Sequence, residues 1–216
     1  MKHKFHFMAI LLVLTLAMLA CSLGASDGED APAADVLFQD DFSDPSSGWD
    51  SYSGSEGSTD YSNGVYRIYV NETSNDYWAN PGLDFTDTVI EVDATKVGGP
   101  DDNDLGLICR YQDLDNFYFF IISSDGYYAI GKVVDGSQEL IGVDNMEYSD
   151  VVKQGNATNH IRADCVGTHL VMQVNGKKLS DVTDSAYTSG DVGLMAGTFD
   201  ESGTDIHFDN FVVKKP

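Results

Sequence analysis

Carboxylates are the commonest reactive groups in this chain, 35 Asp and Glu against 12 Lys and Arg. Three settings give them a spacing that could do chemistry. Glu91-Val92-Asp93 puts acids at alternate positions, which share a face if the segment is a strand. Two carboxyls ~5–5.5 Å apart can act as nucleophile and acid/base at a glycosidic bond. Asp101-Asp102-Asn103-Asp104 concentrates the hard oxygen donors that calcium takes, but lacks the alternate-residue pattern and glycine of an EF-hand loop. Asp41 and Asp209 lie near the two ends of the chain and form a further calcium candidate if those ends meet. For both calcium sets a solvated acidic surface is the preferred account, so calcium is the one candidate cofactor and is left open. His160, His169 and His207 each fall in a predicted strand. No serine has the strand-to-helix setting of an activated nucleophile, so a catalytic triad is not expected.

Aromatic residues supply the other candidate chemistry. Sugar rings present apolar C–H faces that stack on aromatic side chains, while nearby polar groups hold the hydroxyls. The segment Asp104–Val134 reads as three antiparallel strands, Leu105–Tyr111, Phe117–Ser123 and Tyr127–Val134, rich in aromatic and β-branched residues. Asp125-Gly126 signals a two-residue hairpin, which would set the register between the last two. Alternation then puts Tyr118, Phe120 and Ile122 on a core face with Ala129, Gly131, Val133, Leu105, Leu107 and Cys109. Phe117, Phe119, Ile121, Tyr128, Ile130, Lys132, Ile108 and Arg110 share the opposite, partly solvated face. Arg110, Phe119, Tyr128 and Lys132 are therefore the candidate ligand-binding residues. For Phe119, simple filling of the sandwich is slightly preferred. For Tyr128 the two readings stand level. Trp49 and Trp78 are placed in loops.

The same alternation runs through the rest of the chain, in Val36–Phe42, Val65–Val70, Asp87–Val97, Asn159–Val166, His169–Val174, Lys177–Val182, Asp191–Phe199 and Thr204–Lys214. Asn63-Gly64 and Asn175-Gly176 are strong hairpin signals. No segment after the leader has an apolar stripe of helical period and length, so the fold class is all-β, a two-sheet antiparallel sandwich or barrel.

The opening residues form no part of that fold. Lys2 and Lys4 precede a nearly unbroken apolar run, Phe5–Ala20, too short for the ~20 residues of a spanning helix and suited to a secretory signal. Met18-Leu19-Ala20-Cys21 resembles a bacterial lipoprotein lipobox, which implies cleavage before Cys21 and a lipid on its sulfur. An ordinary signal peptide is the alternative. Residues 1–20 are thus expected to be the signal and residues 21–35 a disordered acidic tether, followed by one domain over residues 36–215. The expected location is the cell-envelope membrane after export, with the lipid as the only membrane contact. The formal charge of −23, more negative still without Lys2 and Lys4, repels nucleic acid and anionic lipid. Cys109 and Cys165 both fall on apolar strand faces, so a disulfide between them is preferred to two buried thiols.

Phe38-Gln39-Asp40-Asp41-Phe42-Ser43, Gly48-Trp49, Leu107-Ile108-Cys109-Arg110-Tyr111, Ser189-Gly190-Asp191-Val192-Gly193-Leu194 and Ile206-His207-Phe208-Asp209-Asn210-Phe211 together resemble concanavalin A-like lectin/glucanase domains. Laminin-G-like modules and 3-keto-disaccharide hydrolase-like domains are more distant relatives. The resemblance implies a jelly roll of two curved sheets with one concave face. It leaves activity open, because the fold hosts binding modules and hydrolases alike. Laminarinase-like members carry E-x-D-x-x-E or E-x-D-x-E on one strand. Here Thr95 and Lys96 follow Glu91 and Asp93 where the second glutamate belongs, so the two-carboxylate mechanism is not expected. The resulting expectation is a non-catalytic, lipid-anchored module that binds carbohydrate or a surface protein. A glycoside-acting enzyme and a purely structural module are its rivals.

Overall fold

The computed structural model describes residues 35–216, and the expectations for the leader, Cys21 and the tether lie outside them. In chain order the strands are β1 (Val36–Asp40), β2 (Tyr52–Ser53), β3 (Gly57–Ser62), β4 (Val65–Val70), β5 (Asn75–Ala79), β6 (Thr88–Gly98), β7 (Asn103–Asp113) and β8 (Asn116–Ile122). There follow β9 (Tyr127–Val134), β10 (Ser137–Leu140), β11 (Glu147–Tyr148), β12 (Thr158–Val166), β13 (His169–Val174), β14 (Lys177–Thr183), β15 (Asp191–Thr198) and β16 (Thr204–Lys214). They form two antiparallel sheets. The larger runs β14-β13-β12-β6-β16-β4-β3-β2, with β1 also on β16; the smaller runs β10-β9-β8-β7-β15-β5, with β11 also on β9. The expected all-β jelly-roll sandwich is the fold.

The core lies between the sheets because each strand alternates. Tyr66, Ile68 and Val70 of β4, Ile161, Ala163 and Cys165 of β12, and Leu105, Leu107 and Cys109 of β7 are all buried in it. Asn63-Gly64 and Asn175-Gly176 make two-residue turns with both residues at positive φ, the conformation that such hairpins require. Cys109 and Cys165 form the expected disulfide, with Cα atoms 6.8 Å apart, and it ties β7 of one sheet to β12 of the other.

Between β8 and β9 the register differs from the expected one. Asp125 does not take positive φ, so Asp125-Gly126 is not a two-residue turn of the primed type. Instead Gly126 N–H donates to Ser123 O and Ser123 N–H to Tyr127 O, which makes a three-residue loop. Ser124 N–H also donates to Asn103 Oδ1, fixing that loop to the start of β7. Ile122 consequently pairs with Tyr128. A slip of one residue turns every side chain of a strand over. Tyr128, Ile130 and Lys132 thus point between the sheets, and Ala129, Gly131 and Val133 point outward with Phe117, Phe119 and Ile121.

Candidate functional site

The outer face of the smaller sheet carries a hollow. Its edge strands β10 and β5 are five inter-strand spacings apart, ~24 Å if the sheet were flat. Yet Gln138 Nε2 of β10 donates to Asp76 Oδ2 of β5 at 2.7 Å. The sheet must therefore curl until its edges touch across the hollow. The hollow holds an apolar layer of its own, in which Ile108, Phe117, Phe119, Ile121 and Met195 are buried and Trp78, Tyr111, Leu140 and Met146 pack on top. Beside that layer lies an open pocket of about 670 Å³, lined by Asp76, Trp78, Asp104, Gln138, Met146 and Met195 among others.

Register explains the floor of this pocket. Gly197 of β15 pairs with Asp76 of β5 on one side and with Asp104 of β7 on the other. The two carboxyls therefore flank a residue with no side chain, and both lean over it. A Cβ on Gly197 would sit 2.0 Å from Asp76 Oδ1 and 2.5 Å from Asp104 Oδ2, so only glycine leaves the space. Asp104 is 3% exposed and its Oδ1 has no hydrogen-bond partner. Burial first, then the neighbouring negative charge of Asp76, holds the Asp104 carboxyl well above the usual range. Asp76 is also raised by burial, an effect that Gln138 opposes by donating to it. Two residues along, on the same face, Trp78 pairs with Met195 and Met195 with Gly106. The indole reaches to within 5.3 Å of the Phe117 ring.

The four expected ligand-binding residues are not brought together. Phe119 alone lies at the pocket, and at 2% exposure it is a filled part of the floor and not an open platform. Its ring covers Gly131, where a Cβ would come within 2.2 Å. Arg110 belongs to a bulge in β7 and takes φ 52°, which breaks the alternation. Its guanidinium is buried among the carbonyls of Thr86, Tyr187 and Cys165 and the carboxylate of Asp87. Lys132 is on the inter-sheet side and bonds Asp184 at 2.7 Å and Glu139 at 3.0 Å. Tyr118 donates to the same Asp184, and burial pushes its phenol up to about 12. Tyr128, turned inward by the register slip, donates to Glu147.

The acidic sets also separate. Asp101 pairs with Lys96, Asp102 faces a different shallow pocket with Ser123 and Asp125, and Asp104 joins Asp76. Strands β1 and β16 do pair, but Asp41 turns back on Ser43 and Asp209 on Asn210. Among the described residues no three His, Cys, Asp or Glu side chains converge as a metal set would. Glu91 and Asp93 face outward from the larger sheet, where Lys214, Arg162 and His160 surround them. That is an ion-paired surface. Trp49 is not a loop platform either. It is buried, donates from Nε1 to Asp40 and packs edge-on against Phe211.

Asp76 and Gln138 were not singled out in the sequence, and Trp78, expected in a loop, lies in β5. Asn75–Ala79 runs Asn-Asp-Tyr-Trp-Ala, with no period-2 alternation to mark it as a strand.

The chain superposes on carbohydrate-binding module CBM66 from Bacillus subtilis with a TM-score of 0.64 and 17% identity, over 78% of this chain and 96% of that one. The fold is the concanavalin A-like jelly roll. A Bacillus subtilis protein of unknown function with a galectin-like fold gives 0.61 at 12% identity, over 84% and 96%. The catalytic domain of an endo-1,3-beta-glucanase (laminarinase) from Thermotoga petrophila gives 0.59 at 10%, over 85% and 98%. At these identities the likeness is one of fold. No protein-family model and no curated protein sequence matches the chain.

Proposed function

We propose that this domain binds glycan, without catalysis, in the pocket between Trp78 and the Asp76–Asp104 pair. One observation carries the reading: a half-buried indole stands two residues along the same face from a cluster of sugar-competent hydrogen-bonding groups in the hollow of the curled sheet. The indole face suits the C–H face of a pyranose, and Asp76 and Gln138 suit its hydroxyls. That a carbohydrate-binding module shares the fold supports the choice of ligand class.

The carboxyl pair itself favours a second reading, hydrolysis. A glycosidic oxygen must fit between nucleophile and acid/base, which takes a gap of ~5–5.5 Å or more. Asp76 Oδ1 and Asp104 Oδ2 lie 2.0 and 2.5 Å from the same Cβ position on Gly197, so the two oxygens stand closer together than that gap. Glycan-array binding by the full chain in detergent tests the proposal. Trp78→Ala should weaken every glycan captured by roughly tenfold or more. Glycan capture that is indifferent to Trp78 would move the site elsewhere. Turnover of a captured glycan, lost in Asp104→Asn, would establish the enzyme.

Our reading also makes the chain an exported one, held at the cell-envelope membrane by a lipid on Cys21. The support is the leader: a basic start, a short apolar run and Leu19-Ala20-Cys21. Cys21→Ser should abolish membrane retention, because an acidic domain has no other attachment of comparable strength. Fatty-acid label on that variant would refute it.

A further inference from the structure

We propose that the pocket takes the protonated amine of an amino sugar, the ammonium seated on Asp76 and Asp104 and the ring lying against Trp78. This rests on the glycan reading above and names its ligand class. The first ground is the orphaned oxygen. Asp104 is almost fully buried, lines the pocket, and keeps Oδ1 without a partner. A buried polar atom left unpaired is costly, and a donor arriving with the ligand would recover that cost.

The second ground is charge. Elsewhere in the described residues Glu91, Asp87, Asp101, Asp164, Asp184 and Asp205 are ion-paired. Asp76 and Asp104 have no such partner among the described residues, and Gln138 brings Asp76 a donor but no charge. An ammonium brings both. It has three N–H donors, enough to satisfy Asp104 Oδ1 and an Asp76 oxygen together, and it carries the positive charge that both carboxyls lack.

The walls decide against a bare metal cation. Calcium takes six to eight oxygen ligands, whereas Trp78, Ile121, Leu140, Met146 and Met195 make much of this lining apolar. An organic cation uses both halves of such a pocket. Its apolar body covers the side chains, its charge meets the acids, and the indole face adds a cation–π attraction. The surplus of acids over the whole chain raises the local concentration of any cationic ligand.

Calorimetry on the full chain in detergent tests this with three tetrasaccharides: β-1,4-linked glucosamine, its fully N-acetylated form, and β-1,4-linked glucose. The expected result is that the free amine binds roughly thirtyfold or more tightly than the other two, and that Asp104→Asn and Asp76→Asn each remove that advantage. Asp76 is only half-buried, so its variant serves if Asp104→Asn does not fold. The comparison of free with acetylated amine in the unaltered protein needs no variant at all. Equal affinity for the three would overturn the inference and leave glycan binding standing, as would an amine preference that survives both substitutions in folded protein. Binding of none would remove both.

Discussion

The disulfide offers a sharp quantitative test of the fold. Cys109 and Cys165 are both wholly buried, on facing strands of different sheets, and the bridge closes a sequence separation of 56. For a loop of that length the chain-entropy treatment gives about 4 kcal/mol at 25 °C, because the unfolded chain loses the freedom of the closed segment. Domains of 150–250 residues shift their melting temperature by roughly 2–4 °C per kcal/mol. Cys109→Ala/Cys165→Ala should therefore melt about 8–16 °C below the oxidised protein. Thermal unfolding followed by far-ultraviolet circular dichroism reads this directly, and reduction of the unaltered protein should reproduce most of the shift. Both sulfurs face the core and not the hollow, so affinity at the Trp78 pocket should be unchanged at temperatures where both forms are folded. A double variant melting within about 3 °C of the oxidised protein would refute the bridge as a clamp between sheets. Lost binding in a folded double variant would refute the separation of core from site.

Further substitutions probe the site and its support. The Asp104 carboxyl is raised by burial and by Asp76, so its favourable contribution is complete below the unfolded value of about 3.9 and is lost as pH rises through the folded value. Asp104→Asn cannot ionise, so melting curves from pH 4 to pH 8 should show the variant gaining on the unaltered protein as pH increases; parallel curves would contradict the buried pair. Gly197→Ala drives a methyl into both carboxyls and should cost roughly 1–3 kcal/mol in chemical denaturation, while the same change at Gly64, where a Cβ meets nothing within 4 Å, tests backbone strain alone. Arg110→Met leaves the Thr86, Tyr187 and Cys165 carbonyls without their donor and should cost on the order of 3 kcal/mol, read from the denaturation midpoint. A cost near zero there would return Arg110 to the candidates for ligand contact.

Alternation and turn chemistry are local, and they fixed the fold class and several partners before any tertiary contact was known. Val65–Val70 and Asn159–Val166 bury the residues that their pattern marks, and Asn-Gly at residues 63–64 and 175–176 turns as its conformational preference demands. The inward direction of Cys109 and Cys165 followed from the same alternation, which is why their bridge was legible. Asp125-Gly126 misled because Ser123 and Ser124 have partners elsewhere: Asn103 Oδ1 accepts from Ser124, and Ser123 Oγ donates to the Asp101 carbonyl. Those contacts favour a loop one residue longer, and one residue was enough to move Tyr128 and Lys132 to the other side of the sheet.

By itself, then, the sequence determined that this chain forms an antiparallel sandwich, where most of its strands lie, and which cysteines meet, since each of these follows from short-range periodicity and turn preference. The tertiary structure alone decided the site. Asp76 and Asp104 belong to strands that never touch, and they meet only because β15 runs between them with glycine at the shared rung. Gln138 reaches Asp76 only because the whole sheet curls until its edges come into contact. Strand order and sheet curvature are properties of the assembled sandwich, set by the packing of many side chains at once, and no short stretch of residues encodes either.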